Sequence, residues 1–434
     1  MASKSKSSWR SKLKKLGRAV VCRTLERQVK RLRAKREFKV IAVAGSVGKT
    51  STKAAIAKTL EAASLRVAWQ AGNYNDRVTV PLIFFNQDEP SILNVLAWLR
   101  IFWQNSRMMR RPYPYDVVVV ELGSDGPGQM QHFSYTQPDI AVLTAIMPEH
   151  MAYFGTLDAV AAEELDMLRY SKQALINIDD TPAKYLEGRQ FMSYGLDGKA
   201  DYQVLAWRQL ELEDGVMTIA LPDGARLEAA SAIVGKQGVK IVLAAAAAAH
   251  MAGLTQDDIA KGVAGIKPFA GRMQILEGIH DSILIDDTYN ASPPAVKAAL
   301  DVLYATKAPQ RIAILGSMNQ MGDYSPDAHR EVGAYCDAGK LDLVVTIGSD
   351  AETYLAPAAR EAGCEVQSFA SPYQVSEFVK SRLKAGGIVL AEGSQDGVFA
   401  EEALKALLKH PKDQSRLVRQ SAHWMKIKRE QFLR

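Results

Sequence analysis

The sequence predicts an α/β protein made of two successive units of mostly parallel sheet, with antiparallel hairpins appended to the first. Three observations predict it. Short β-branched runs alternate with stretches of helical composition, the pattern of strands joined by crossover helices. The first such run ends in a glycine-rich turn that opens a helix. A second series of strand-like runs begins only near Gly271, at a chain length that exceeds one ordinary domain.

The elements follow in order. Residues 1–38 hold 14 Lys/Arg against Glu26 and Glu37, and Trp9, Leu13, Leu16, Val20, Leu25, Val29 and Leu32 recur at steps of three to five. That is a basic helical leader with one apolar stripe, suited to packing on its own domain or to lying on an anionic membrane surface. The whole chain carries a net charge of +6, so everything after the leader is mildly acidic. Without an RNA-type aromatic motif, nucleic acid is not an expected partner.

Residues 39–268 form the expected central unit. Phe38–Ala44 reads as a buried strand ending at Gly45, and Thr50–Ala63 as the helix that follows. Asp116–Leu122, Ile140–Thr144 and Ala174–Ile178 are further buried strands. Tyr202–Trp207 and Val216–Leu221 alternate around Asp214-Gly215 and Asp223-Gly224, which predicts hairpins. Ile241–His250 is mostly alanine and reads as a buried helix. Residues 269–434 form a second, Rossmann-like unit, with strands at Ser282–Ile285, Arg311–Leu315, Leu343–Ile347 and Ile388–Leu390.

Cys22, Cys336 and Cys364 are scattered, which argues against a disulfide frame or a zinc site and for a reducing compartment. No apolar run reaches the ~18–20 residues that span a bilayer. The expectation is a cytoplasmic monomer, peripheral to the inner face of the membrane if the leader lies there.

Gly45-Ser46-Val47-Gly48-Lys49-Thr50-Ser51 carries the chemistry. Phosphates need backbone N–H donors, a point cation and a hydroxyl for magnesium, and this turn supplies all three. Val43 stands where the strict phosphate-binding pattern has its first glycine, leaving the shorter Gly-x-x-Gly-Lys-Thr form.

That form, with Ser51-Thr52-Lys53 after it, resembles the Mur ligases of peptidoglycan synthesis. Other segments continue the resemblance in order: Asn73-Tyr74-Asn75 before Val80-Pro81-Leu82, Glu121-Leu122-Gly123, His150 with Phe154-Gly155, Gly271-Arg272, and Asp286 through Pro293 (DDTYNASP). Leu315-Gly316 to Gly322, His329 and Glu392-Gly393-Ser394 extend it, and it is similar above all to the branch that adds D-alanyl-D-alanine. The resemblance implies an ATP-dependent acid–amino-acid ligase that phosphorylates a carboxylate and lets an amine attack the acyl phosphate. It implies a muramyl tripeptide as carboxyl substrate, D-Ala-D-Ala as amine, and ATP with Mg2+. Lys49 would serve the phosphates, Thr50, Glu121 and His150 the metals, Arg272 the transferred phosphoryl group, and Tyr289-Asn290 the adenosine side.

Where the family places a carbamoylated lysine, this sequence has Glu164, a native carboxylate expected to take over its charge, with Glu163 as an alternative. Ser292, Ser317, Gln320, Glu392, Gln395 and Gln237-Gly238 also depart from the family pattern, at nucleotide-ribose and second-substrate positions. No counterpart of the family's N-terminal, uridine-diphosphate-gripping domain precedes residue 39, which leaves the handle of the carboxyl substrate open. Two rivals remain: a Mur-type amide ligase for a folate, cyanophycin-like or pseudomurein substrate, and a non-catalytic nucleotide-binding scaffold at the membrane.

Overall fold

A computed structural model describes the chain except for Met1, Asn73, Leu210, Glu211, Glu213, Asp214, Asp396, Leu433 and Arg434; of residues 2–13 and Gln209 it describes the backbone alone. The central unit holds strands β1 (Lys39–Ala44), β2 (Val67–Ala68), β3 (Val117–Glu121), β4 (Ile140–Leu143), β5 (Gln173–Asn177), β6 (Met192–Gly195), β7 (Tyr202–Gln209), β8 (Gly215–Ala220) and β9 (Arg226–Ser231). Its helices are α1 (Ala2–Lys35), α2 (Lys49–Ala62), α3 (Thr79–Ile83), α4 (Val95–Met109), α5 (Met151–Phe154), α6 (Leu157–Glu164), α7 (Gly235–Met251) and α8 (Gln256–Ala264).

The strands form one nine-stranded sheet in the order β2-β3-β1-β4-β5-β6-β7-β8-β9. β1 is central, pairing in parallel with β3 (Ile41 with Val119) and with β4 (Ile41 with Ile140). A strand covered on both faces must be apolar throughout, which is why β1 and β3 read as continuous Val/Ile/Ala runs. The antiparallel pairs β7–β8 and β8–β9 extend one edge. There β9 alternates exposed and buried residues, as a sheet with one wet face requires.

Two cores flank this sheet. On one face α2, α7 and α8 pack, with Ala244 to Ala249 fully buried. On the other, Val29 and Leu32 of α1 join Val40, Ala42, Val118 and Val120 of the strands. The basic leader is therefore no appendage over its second half. Leu25, Val29 and Leu32 are buried, and Arg33 donates to the carbonyl of Phe38 and to Asp139. Leu16 and Val20, which the apolar stripe includes, are exposed instead, and the side chains of Trp9 and Leu13 lie outside the described residues.

The second unit holds β10 (Gln274–Glu277), β11 (Ile283–Asp287), β12 (Arg311–Gly316), β13 (Leu343–Ile347), β14 (Val366–Phe369) and β15 (Ile388–Glu392). Its helices are α9 (Pro293–Ala305), α10 (Ser325–Tyr335), α11 (Ala356–Glu361), α12 (Pro372–Arg382), α13 (Glu401–Lys405) and α14 (Ala422–Phe432). The sheet order is β10-β11-β15-β12-β13-β14, parallel except for β10, and its two faces are covered by separate apolar clusters. Among the described residues no helix is long and apolar enough to cross a membrane.

Candidate active site

The turn between β1 and α2 is shaped by glycine. Gly45 and Gly48 have φ of 122° and 83°, values that disfavour any side chain. A Cβ on Gly45 would stand 2.5 Å from Thr144 Oγ1 and 2.8 Å from the Ala145 nitrogen. The Ser46 N–H donates to the Ala145 carbonyl at 2.9 Å, and its hydroxyl donates to that of Met147 at 2.9 Å. The loop is thus clamped to the chain leaving β4, and α2 starts at Lys49 with its first amides free for an anion.

Three carboxylates surround this turn. Lys49 Nζ lies 3.2 Å from Glu149 Oε2. Glu164 accepts the Gly45 N–H at 2.6 Å and is hydrogen-bonded to Glu149. Burial raises both acids, Glu149 to about 8, while Lys49 beside them opposes it. The Lys49 ammonium would be lowered by burial, but Glu149, Glu164 and Glu121 outweigh that and hold it above its ordinary value. The two buried carboxyls are thus hydrogen-bonded to each other beside a charged lysine.

Glu121, at the carboxyl end of β3, accepts from the Thr50 hydroxyl at 3.2 Å and from Asn75 Nδ2 at 3.1 Å through one oxygen. Its other oxygen lies 3.2 Å from Lys53 Nζ, both side chains being buried. Lys53 also donates to the Gly72 carbonyl at 2.7 Å, so its buried charge is fully partnered.

His150 has a left-handed backbone, φ 46°. Its Nε2 stands 3.6 Å from Asp125 Oδ1, Gln320 bonds to the ring, and the buried Nδ1 has no partner among the described residues. Burial, with Lys49 close by, lowers its affinity for a proton, so the imidazole is neutral near pH 7. A cavity of about 360 Å³ lies here, lined by Asp125, Gly126, His150, Tyr153 and, from the second unit, Gln320.

Arg272 follows Gly271, where φ is 64°. Its guanidinium stacks on Tyr289 with Cζ 4.3 Å from the ring centroid, and its Nε is buried without a partner. Burial raises the Tyr289 hydroxyl above its ordinary value, Arg272 beside it opposes this, and Glu121 of the central unit adds to it. Asn290 is exposed. Arg419, far along the chain, donates to the carbonyls of Thr288 and Tyr289 and pairs with Glu401 at 2.7 Å. It braces the turn that carries Tyr289.

The expected site residues therefore divide. Gly45 through Ser51, Glu121 and Glu164 gather around one loop; His150 lies beside it, partnered by Asp125 and Gln320; Arg272 and Tyr289 stack on the opposite unit. Asn73 lies outside the described residues. Glu163 is occupied elsewhere: it accepts from the Ser124 hydroxyl and from the N–H groups of Gly128 and Met130, at 2.8, 2.6 and 2.5 Å. It holds the loop after β3, and only Glu164 reaches the phosphate turn. His329 is also structural, its ring bonded to Met318 N and Ser325 O. Sequence reading did not select Glu149 or Arg419. Nothing in their spacing marked them, though Glu149 adjoins His150.

Thr50 and Glu121 supply hard oxygen donors side by side, which fit magnesium; the His150 nitrogen is a softer donor. Among the described residues no three His, Cys, Asp or Glu side chains converge on one point. A cavity of about 1380 Å³ lies away from the phosphate turn, between Trp207, Lys236 and Gln237 of the central unit and Glu277, Lys297 and Arg416 of the other.

Comparison with known proteins gives consistent matches. The model of the Mur ligase middle domain matches residues 102–249, and that described as Mur ligase, glutamate ligase domain matches residues 271–395. A Bacillus subtilis (strain 168) protein named UDP-N-acetylmuramoyl-tripeptide–D-alanyl-D-alanine ligase is 29% identical over 380 residues, 86% of this chain and 76% of that protein. The Synechocystis protein of the same name is 28% identical, over 86% of this chain and 75% of its own length. Among solved structures, MurF ligase from Thermotoga maritima in complex with ADP superposes with a TM-score of 0.73 at 23% identity, covering 91% of this chain and 84% of that one.

Proposed function

This chain belongs to the Mur ligase family, and on that premise we propose that it joins D-alanyl-D-alanine to the carboxyl group of a muramyl tripeptide, driven by ATP, in peptidoglycan synthesis. The observation that carries the reading is the convergence of Lys49, Thr50 and Glu121 on one glycine turn, with Arg272 stacked on Tyr289 across from it. The relatives with this name align along most of the chain, which supports the substrates.

The residues divide the work by charge. Backbone N–H groups of the 45–50 turn would receive the phosphates, and Lys49, released from Glu149 by the incoming anion, would neutralise the terminal ones. Magnesium, when bound, would lower the repulsion between phosphate and carboxylate, with Thr50 and Glu121 placed to hold one ion and His150 with Glu164 to serve a second. Glu164 keeps a carboxylate against the turn where the family has a carbamate. Arg272, oriented by the Tyr289 ring, would meet the phosphoryl group as it moves to the substrate carboxylate. The amine then attacks the acyl phosphate, forming the amide and expelling phosphate.

A second reading, the same chemistry with a different amine, has one observation in its favour. Asp287 and Glu392 sit opposite each other on β11 and β15, and among the described residues neither oxygen of the buried Glu392 has a side-chain hydrogen-bond partner. Carboxyls at that strand end would suit an amine with a second cationic group.

Phosphate release from ATP separates these readings. Release only with muramyl tripeptide and D-Ala-D-Ala together supports the proposal; release with the tripeptide and only a diamino acid supports the second reading. Release with neither substrate would mark a generic ATPase, and none under any condition a scaffold.

A further inference from the structure

Helix α4 is apolar on two opposite faces. Trp98 and Ile101 pack into a cluster with Val21, Cys22 and Leu25 of α1, and Asn105 donates to Gln28 at 2.8 Å. Arg36, just after the end of α1, donates to the Met109 carbonyl at 3.2 Å, so the two helices run side by side in the same direction. Among the described residues nothing covers the other face. Leu96, Leu99 and Trp103 recur at helical spacing and are 79%, 57% and 61% exposed, and Leu93 and Val95 extend the stripe at its start. Most of the large exposed hydrophobics among the described residues lie on α1, on α4 or just before α4.

The rim of this stripe is cationic. Arg100, Arg107, Arg110 and Arg111 are exposed, and the Arg107 guanidinium lies 5.6 Å from the Trp103 ring. No acid occurs between residues 90 and 115, and Asp116 is tied to Arg66 at 2.6 Å. On α1, Arg23, Arg27 and Lys30 are exposed, while Glu26 is tied to Arg77.

From this geometry we infer that the outer face of α4, flanked by α1, docks on the surface of an anionic lipid bilayer. A narrow apolar stripe with a tryptophan and long cations at its edges matches the depth profile of such an interface. The apolar side chains enter the acyl boundary while the arginine heads stay with the phosphates. A second copy would bring cationic rim against cationic rim, which disfavours a symmetric dimer. The inference stands apart from the assignment of the substrates. The occupied half of α1 belongs to the fold, so α4 and not the leader alone supplies the apolar contact.

Flotation of the full chain tests this, with vesicles of phosphatidylcholine alone or mixed with phosphatidylglycerol. Binding is expected only to the anionic vesicles, weakening with salt. Leu96→Ser, Leu99→Ser and Trp103→Ser combined should weaken it at least about ten-fold, as should Arg100→Gln, Arg107→Gln, Arg110→Gln and Arg111→Gln combined. All seven positions are exposed and none is among the residues assigned to the reaction, so thermal unfolding and phosphate release should match wild type. No flotation of wild type with anionic vesicles overturns the inference, and so does undiminished flotation of the Leu96/Leu99/Trp103 variant. A concentration-dependent dimer in sedimentation that this variant abolishes assigns the face to a second copy and overturns it as well.

Discussion

Lys49 and Glu149 form a largely buried ion pair, Nζ to Oε2 at 3.2 Å, at the mouth of the phosphate-binding turn. Without a nucleotide, Glu149 occupies the cation that the proposed reaction assigns to phosphate. Lys49→Ala should therefore reduce substrate-dependent phosphate release by roughly 10²–10³-fold. Glu149→Gln, which removes the competitor, should tighten ATP binding instead. Calorimetric titration with ATP beside a phosphate-release assay checks both, and equal ATP affinity in wild type and Glu149→Gln would rule out the competition.

Glu164 holds its carboxylate against Gly45 by a 2.6 Å hydrogen bond. A native carboxylate needs no carbon dioxide, so wild-type activity should be the same with bicarbonate added or stripped. Glu164→Ala should lower kcat by about 10²-fold. Stimulation of wild type by bicarbonate would contradict the role given to Glu164.

Arg272 owes its orientation to the Tyr289 ring, 4.3 Å away. Lysine keeps the charge but cannot stack as a plane or present a fork of donors. Arg272→Lys should cut kcat by at least about ten-fold while changing the Kd for ATP by less than about three-fold. A large loss of ATP affinity would instead place Arg272 among the ground-state contacts.

Leu25 is fully buried between Cys22, Trp98, Ile101 and Leu82. Leu25→Ala should cost about 2–4 kcal/mol in urea unfolding, with activity per folded molecule unchanged. A loss under about 1 kcal/mol would mean that α1 is held mainly by its arginines.

Asp286 is buried with one oxygen on Thr288 and the other unpartnered, and burial raises its pKa to about 6. A folded-state value above the ordinary carboxylate range means stability that is full below about pH 4 and lost as pH rises through about 6. Asp286→Asn removes this dependence. The variant should gain roughly 2–3 kcal/mol relative to wild type between pH 4 and pH 8, read from denaturant midpoints at the two pH values.

Much of this was legible in the residues themselves. The strand runs 40–44, 117–120 and 140–143 are continuous apolar segments because both faces of a parallel sheet are covered, and composition alone reports that. Short strands such as β2 and β6 carry too few residues to show a period, and they are recognised only by their pairing. The turn at 45–51 was legible because phosphate binding imposes backbone demands that only glycine meets locally. The ends of the site were not, since Glu149 and Lys49 lie a hundred positions apart in sequence.

The sequence by itself determined the longer apolar strands, the glycine turn with Lys49 and Thr50, and the acids of the Asp286–Pro293 segment. Each is a local requirement of backbone geometry or apolar burial, written within a few consecutive residues. Tertiary structure decided the rest. It sent Glu164 to Gly45 and Glu163 to the loop after β3, although the two are neighbours on one helix, because successive helical side chains point about 100° apart and meet different surroundings. It buried Leu25, Val29 and Leu32 of the α1 stripe while exposing Leu16 and Val20, and left Leu96, Leu99 and Trp103 of α4 facing outward. Helical periodicity marks an apolar face but carries no information on what covers it; packing between elements distant in the chain settles that.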